Sequence, residues 1–534
     1  MQEPGSFLSS YRRQWAFCAG VTALYFLSIA SFLAPQYGTV EDLFVLYQLS
    51  GGFGTAPTEL LHYNHIVNPI IGWPLKIAFT WMPSVNWYTL TLLAAQFVAC
   101  TLIFQRLLRR NTLLQALAFY TFFFLVFETG YFSALNFTST SIVLGMAGLL
   151  RLSLPPVPGA TDKPYKGATL YASASLLRVH SLLPLLPLAL PFWILTPGWK
   201  PRLRKALWLL AALAAIGALH LFHRNYYEKR IPGWQREEAY RQQVYAFYNH
   251  RNMTRYAPGD PGYFERRIIG QKPLLDTQIM TLPIMAAKFK ATYKPGFRMS
   301  GEILRWFFVN NRLYFLSLLC AFLFLRRRAE WLALGASIAI AVAMWFALNY
   351  TYAKFPDYLL MAFLCFPVLL ALSTRTPPAR PVRPWLLLAP LLLAGWGFWI
   401  RVKQGRSNAA VTRTFVAAWR DFAAHRDTLF FVGMDQLPFY AYPVWAPPAK
   451  YPMPNVLISE HFLNHLERPF LEHFGLRSIR DLPLHPNACL AGWQQEDIRA
   501  YYSRVHGTTV RFEPVTGTYQ QLRPYRVVLT PQTP

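Results

Sequence analysis

The fold prediction starts from residues Gln36–Pro69, QYGTVEDLFVLYQLSGGFGTAPTELLHYNHIVNP. This stretch follows an apolar run from Trp15 to Ala34 and carries two adjacent carboxylates, Glu41 and Asp42. A glycine-rich turn comes next, and then a group of His and Asn side chains. Because most of the remaining chain is apolar or basic, this acidic, turn-rich stretch is expected to form a polar loop just outside a first membrane span.

The composition is typical of a membrane protein. Of the 534 residues, 54% are hydrophobic and only 14% are charged, whereas soluble domains carry about 25% charged residues. The net charge of +27 indicates basic cytoplasmic loops and contact with anionic membrane lipids. No nucleic-acid-binding motif accompanies it, so nucleic acid is not an expected partner. The five cysteines include no CxxC pair, which predicts neither a disulfide nor a Cys-ligated metal.

Apolar windows of roughly 17–22 residues predict about eleven transmembrane helices. The predicted spans are 14–34, 87–106, 113–131, 135–152, 167–180, 181–197, 205–222, 312–326, 330–349, 355–373 and 384–401. The segment 66–82 is short and interrupted by proline, so it is predicted to lie in the membrane interface without crossing. With that assignment, every dense basic cluster in a short loop falls on one side of the membrane.

This alternation predicts a multi-pass plasma (inner) membrane protein with a cytoplasmic N-terminus. The fold class is all-α polytopic, with a membrane domain over 1–401 whose loops 35–86 and 223–311 lie outside. A small extracytoplasmic α/β domain is predicted over 402–534. Its predicted strands are Thr428–Val432, Asn455–Ile458, Val510–Pro514 and Tyr525–Leu529, and its predicted helices are Glu460–Phe474 and Gln495–His506.

Three acids are candidate catalytic residues: Glu41, Asp42 and Glu128. A carboxylate at a membrane surface suits a base that deprotonates an acceptor hydroxyl, or a ligand of a divalent cation such as Mg²⁺ or Mn²⁺. Adjacent side chains point in different directions, so one of the first pair is expected to face the site, and Asp42 is favoured. Glu128, near the predicted end of the third span, is expected to complete the acidic site. Solvated carboxylates at helix ends are the alternative interpretation.

Arg178 and His180 interrupt an apolar pair of predicted spans and are candidate ligands of a lipid phosphate. The long segment 223–311 is rich in basic and aromatic residues, and Arg224 and Lys229 are expected to assist there. Side chains that reach toward the membrane surface without binding anything are the alternative.

Four further polar residues are predicted to line the acceptor side, or the rim, of the same site. They are His62, His65, Tyr352 and Lys354. A purely interfacial polar rim explains them equally well.

The layout resembles the GT-C superfamily of integral membrane glycosyltransferases over about residues 1–400. The resemblance is carried by Val40-Glu41-Asp42, the non-crossing stretch His65–Met82, Asn86-Trp87-Tyr88, the basic run Arg106–Arg110 and the hinge Leu176–His180. It implies a polyprenyl-phosphate sugar donor, a glycan or lipid-linked acceptor, reaction at the outer leaflet and inversion by direct displacement. It also implies that the first-loop acid pair acts as base or metal ligand.

Other functions stay open on the sequence alone. A transporter or flippase of lipid-linked sugars would also have a basic, aromatic interior. A polysaccharide polymerase or ligase would also use a large basic outside loop. A non-catalytic membrane assembly protein whose tail binds partners is a further alternative.

Overall fold

The computed structural model describes most of the chain. The described residues are 11–155, 163–235, 238–239, 308–309, 311–351, 357–374, 383–433, 437–458, 470–476, 481, 485–492, 495, 498–499, 502–503 and 507–530. Tyr352, Lys354 and most of the segment 223–311 lie outside them.

The described part of the chain is mostly helical. Its main helices are α1 (Tyr11–Phe32), α2 (Val40–Ser50), α3 (Pro69–Trp81), α4 (Trp87–Leu108), α5 (Leu113–Phe123), α6 (Thr129–Ser133), α7 (Phe137–Ser153), α8 (Pro164–Ala174), α9 (Leu185–Trp193), α10 (Trp199–Arg230), α11 (Arg312–Phe322), α12 (Arg328–Thr351), α13 (Asp357–Thr374) and α14 (Leu388–Ala424). A π-helical turn, Phe124–Glu128, joins α5 to α6.

Among the described residues, seven helical stretches are long and apolar enough to cross a membrane. They are Arg12–Phe32, Trp87–Leu108, Leu113–Ser133, Trp199–Arg230, Arg328–Leu348, Asp357–Thr374 and Pro384–Ala424. All seven coincide with predicted spans, and two shorter apolar helices, α7 and α11, coincide with two more. The chain is therefore a multi-pass membrane protein, and the number of about eleven spans is not confirmed.

The predicted pair of spans 167–180 and 181–197 is replaced by two short helices. Helix α8 has 11 residues and α9 has nine, so each rises only about 14–17 Å, well short of a ~30 Å hydrocarbon core. The chain makes turns between them, from Ser175 to Pro184. These turns hold Arg178 and His180 off any regular helix.

Contacts at one end of the helix bundle bring the basic clusters together. Arg109 at the end of α4 donates to Gln14 at the start of α1 through 2.9 Å, and Arg106 donates to the carbonyl of Pro155 after α7 through 2.7 Å. Lys205, near the start of α10, is fully buried and donates to the carbonyl of Leu154. Because the end of α4 lies beside the start of α1, these two helices run in opposite directions. The 13-residue α3, which lies between them along the chain, therefore does not cross the membrane.

The opposite end of the bundle is built around the first loop. A short strand β1 (Gln36–Tyr37) pairs in parallel with β2 (Ala134–Leu135), and this pairing fixes the start of the loop beside the start of α7. After α2, Gly51 takes φ 76° as the helix C-cap, a left-handed conformation that favours glycine. The glycine-rich turn is thus a helix stop.

The C-terminal part forms a five-stranded mixed sheet in the order β4-β3-β5-β7-β6. The strands are β3 (Leu429–Val432), β4 (Val456–Ile458), β5 (Ala488–Ala491), β6 (Val510–Pro514) and β7 (Tyr525–Leu529). Four of them were expected, whereas β5 was missed because its residues, ACLA, include no β-branched or aromatic side chain. The predicted tail helices lie largely outside the described residues, and α14 continues through the predicted domain boundary to Ala424.

The tail packs directly on the first loop. The Met453 N–H donates to the carbonyl of Gly52 through 2.8 Å, and the Asn86 side chain donates to the carbonyl of Val444 through 2.9 Å. One buried apolar cluster runs continuously from the residues of α2 to those of the sheet. The tail therefore covers the acidic loop.

One carboxylate fastens the tail to α14. Buried Asp421 accepts hydrogen bonds of 2.8–2.9 Å from the backbone N–H groups of Gln520, Gln521 and Leu522. Replacing Asp421 with Ala leaves three donors without their acceptor, at about 1 kcal/mol or more each. We expect a lower melting temperature and faster proteolysis of the tail, measured on the purified protein. Asp427→Ala is the matched control because Asp427 is exposed; equal behaviour of the two variants would refute this role.

Candidate active site

Asp42 lies in the first turn of α2 and is fully buried. Its carboxylate accepts hydrogen bonds from the hydroxyl of Tyr88 (2.7 Å), the hydroxyl of Thr39 (2.8 Å) and the backbone N–H of Phe137 (3.1 Å). Burial raises the pKa of Asp42 to about 7, and the three hydrogen bonds oppose that rise only in part. Asp42 thus joins the first loop, the start of α4 and the start of α7.

Glu41 has different surroundings. Successive residues of an α-helix are turned by about 100°, and Glu41 is partly exposed where Asp42 is not. Within the described parts of the chain, no hydrogen bond or ion pair engages its carboxylate. Of the two carboxylates, Glu41 is therefore the more exposed.

Arg178 is held beside this acid pair. Its guanidinium donates to the hydroxyl of Thr138 through 2.8 Å and lies 5.5 Å from the ring centre of Phe137. Asp42 and Arg178 are therefore bonded to consecutive residues at the N-terminus of α7. That end of the helix carries a partial positive charge, which favours anionic groups in the same place.

The turn that carries Arg178 is tied to the first loop through backbone hydrogen bonds. The N–H of Val67 donates to the carbonyl of Leu177 through 2.9 Å, and the N–H of Asn68 donates to that of Leu176 through 2.6 Å. Val67 has φ 40°, a conformation that is strained for a β-branched residue and persists only where its surroundings enforce it. The loop and the turn are therefore bonded to each other along their backbones.

Three histidines lie in a row next to Arg178. The ring centre of His180 is 5.3 Å from that of His65 and 6.0 Å from that of His220 on α10. The edge of His180 is open to solvent. Desolvation by the surrounding protein, and then the charges of Arg178 and His220, lower the pKa of His180. His220 was not predicted from the sequence, although a histidine inside an apolar span is a recognisable signal.

His62 was predicted to lie at the acceptor side or rim of the site, but it lies in the core. Its ring is fully buried, with Nδ1 3.2 Å from Oε1 of Gln48, and it packs against Phe44 and Tyr63. The apolar residues on both sides of His62 draw this part of the loop inward. His62 fastens the loop to α2, whereas His65 is partly exposed and belongs to the histidine row.

Glu128 is not brought to the acid pair. It is fully buried in the π-helical turn beside Cys100, and the helical path continues past it through α6. Cys100 is twelve residues farther along α4 than Tyr88, which bonds Asp42, a separation of roughly 18 Å at 1.5 Å per residue. The expectation that Glu128 completes the acidic site is corrected, because the span does not end at this residue.

Arg224 and Lys229 are exposed on the outer part of α10. Arg224 is paired with Glu228 through 2.7 Å. The side of α10 that meets the first loop instead carries Tyr227, whose hydroxyl accepts from the N–H of Leu61. Lys229 lies on the side of α10 opposite His220, so it is turned away from Arg178. Arg224 lies one helical turn after His220 on the same side of α10, and its role as a phosphate ligand stays a prediction.

A polar cluster that the sequence did not single out ties three elements together. Glu59 of the first loop forms an ion pair with Lys76 of α3 and accepts a 2.7 Å hydrogen bond from the hydroxyl of Tyr226 of α10. The guanidinium of Arg230 lies 3.6 Å from the ring centre of Tyr226. This cluster holds α3 and α10 against the loop.

The described residues do not form a site for a divalent cation. No group of three or more His, Cys, Asp or Glu side chains among them has suitable geometry. The Asp42 carboxylate is already occupied by three hydrogen-bond donors, which leaves Glu41 alone as an open carboxylate. The residues therefore do not fit Mg²⁺ or Mn²⁺, which prefer about six oxygen ligands.

No protein-family model and no curated protein matches the chain. Among solved structures, the chain is similar to the crystal structure of ArnT from Cupriavidus metallidurans bound to undecaprenyl phosphate. The two share 12% sequence identity and a TM-score of 0.47, over 96% of this chain and 97% of that chain.

Proposed function

We propose that the protein is a membrane glycosyltransferase that moves a sugar from a polyprenyl-phosphate donor to an acceptor hydroxyl. The observation that carries this proposal is the junction at the start of α7. There, Phe137 bonds Asp42 and the next residue, Thr138, bonds Arg178. A carboxylate pair and a guanidinium, fixed next to each other outside the first span, are the groups that base-assisted displacement of a phosphate requires.

Glu41 acts as the base in this proposal. Its carboxylate takes the proton of the acceptor hydroxyl while the acceptor oxygen forms a bond to the anomeric carbon. The bond between that carbon and the phosphate oxygen breaks, and its electron pair leaves with the lipid phosphate. Attack from the opposite side inverts the configuration of the anomeric carbon. Asp42 is a positioning residue, since it fixes the first turn of α2 to α4 and α7.

Arg178 stabilises the departing phosphate, with His180 beside it. Negative charge on the phosphate grows as the bond breaks, and a cation that is already in place lowers the energy of that state most. The hydrogen bond to Thr138 holds the guanidinium before substrate binds. The acceptor in this proposal is a glycan or a lipid-linked sugar.

The test compares Arg178→Gln with Lys229→Gln in membranes. The probes are short-chain polyprenyl phosphates that carry mannose, glucose or arabinose, and the readout is released polyprenyl phosphate. We expect Arg178→Gln to lower release by about 100-fold, as for the loss of one charge-stabilising donor. Lys229→Gln is expected to stay within about twofold of the wild type, because Lys229 is exposed and lies on the side of α10 opposite His220.

Two outcomes would overturn the proposal. Full release by Arg178→Gln would remove Arg178 from the reaction. Movement of intact donor across vesicles without any release by the wild-type protein would identify a transporter of lipid-linked sugars instead.

A further inference from the structure

The row of His65, His180 and His220 lies next to Arg178, but a displacement reaction needs only the arginine. Each member comes from a different element, namely the first loop, the turn after α8 and the helix α10. Their spacing is fixed from two sides. The loop is bonded to the turn at Val67, and the side chain of Asn68 donates to the carbonyl of Leu219, directly before His220, through 3.1 Å.

The charges that face the row are unbalanced. Among the described residues, His180 faces Arg178 of its own turn and His65 of the first loop. It also faces His220 of α10 and the nearly buried Glu238, which lies beyond the end of α10. The sequence contains no Asp or Glu between Asp162 and Glu228. Desolvation and the neighbouring cations lower the pKa of His180, and among the described residues Glu238 alone opposes them, so the imidazole is neutral near pH 7 while the site is empty.

We propose that the histidine row, together with Arg178, is a proton-coupled binding site for a lipid phosphate, in which the arriving phosphate draws a proton from solvent onto an imidazole of the row. This inference rests on the proposed function. A neutral imidazole supplies one N–H donor, whereas an imidazolium supplies two and a positive charge. An anion within about 4–6 Å favours the charged form.

This coupling favours the product side of the transfer reaction. The sugar-bearing phosphodiester carries one negative charge, and the lipid phosphomonoester that leaves carries close to two at neutral pH. A protonated row therefore stabilises the leaving group more than the substrate, which is the condition for lowering the barrier. No covalent bond to histidine forms, and the proton returns to solvent when the product leaves.

The sign of the pH dependence follows from these charges. The bound state has the higher imidazole pKa, so binding takes up a proton at pH values between the free-state and bound-state pKa values. Affinity therefore rises as pH falls through that window and levels off below the free-state pKa, which lies below the usual value of about 6.5.

The test measures binding and not transfer. The probe is methyl farnesyl phosphate, a phosphodiester whose single negative charge does not change over the pH range used. The method is calorimetry on the full-length protein in detergent. From about pH 8 to about pH 6 we expect wild-type affinity to increase by about tenfold, as uptake of up to one proton allows. His180→Gln, and the triple variant with Gln at all three positions, are expected to show less than a twofold change.

His473→Gln is the matched control, because His473 is exposed in the tail; it should retain the wild-type pH dependence. A wild-type pH profile in His180→Gln and in the folded triple variant would overturn the inference, and so would a flat profile in the wild type. Binding without pH dependence leaves the proposed function intact. Failure of the wild type to bind either farnesyl phosphate or its diester at any pH would count against the proposed function itself.

Discussion

Glu41→Gln is expected to lower sugar transfer by about 10²–10⁴-fold, the usual contribution of a general base. The amide has the same shape but cannot take a proton. Glu41 is partly exposed and is not engaged by any hydrogen bond of the described residues, so its replacement should not disturb folding. Transfer is measured as released polyprenyl phosphate in membranes, and binding of the farnesyl diester should change by less than about threefold.

The control for this prediction is Glu513→Gln. Glu513 is an exposed glutamate of β6, paired with Arg511 and distant in sequence from the first loop. Its replacement should leave transfer unchanged. If Glu41→Gln transfers sugar at the wild-type rate while Asp42→Asn, fully folded, does not, the base is Asp42, and the fully buried carboxylate must then become accessible when substrate binds.

Asp42→Ala is expected to destabilise the protein by about 3 kcal/mol or more. The hydroxyls of Tyr88 and Thr39 and the N–H of Phe137 would lose their common acceptor in the interior, at about 1–3 kcal/mol for each buried group left unpaired. The measurement is thermal unfolding in detergent near pH 5, where the folded carboxyl is protonated and the loss of its charge does not offset the effect; we expect a fall of several degrees. Asp42→Asn retains an oxygen for Tyr88 and Phe137 and should melt close to the wild type.

The pH dependence separates the charge of Asp42 from its shape. Burial raises the pKa of Asp42 to about 7 from its usual value of 3.8, so between these pH values the folded protein retains a proton that the unfolded chain has lost. Stability therefore falls as pH rises from about 4 to about 7, and is constant above that. Asp42→Asn should flatten this slope. An unaltered slope in that variant would show that another group causes it.

The sequence determined the membrane architecture to a large extent. Long apolar runs must form helices in lipid, because every backbone polar group has to be satisfied within the segment. For this reason the seven span-length helices fall where they were predicted. The short α3 was recognised by its length and its proline, and four strands of the tail by their apolar and β-branched residues. These signals are local, so they can be read from neighbouring residues.

The individual site residues followed the sequence less well. Residue spacing indicates only that one of two adjacent acids faces the site, and the choice of Asp42 over Glu41 stays a prediction. Which acid faces the site depends on Tyr88 and Phe137, which lie 46 and 95 residues away along the chain. Glu128 was placed at a span end because a π-helical turn and a further helical segment cannot be foreseen from hydropathy.

The acid pair of Gln36–Pro69 was thus evident from the sequence, as was its place directly after the first apolar run. Only the tertiary structure decided that Asp42 is buried whereas Glu41 is partly exposed. Only the tertiary structure also bonded Asp42 to Phe137 and Arg178 to the next residue, Thr138. Only the tertiary structure also placed His220 next to His180. The physical reason is that span positions depend on local hydrophobicity, whereas the site depends on contacts between segments that lie 40 to 95 residues apart along the chain.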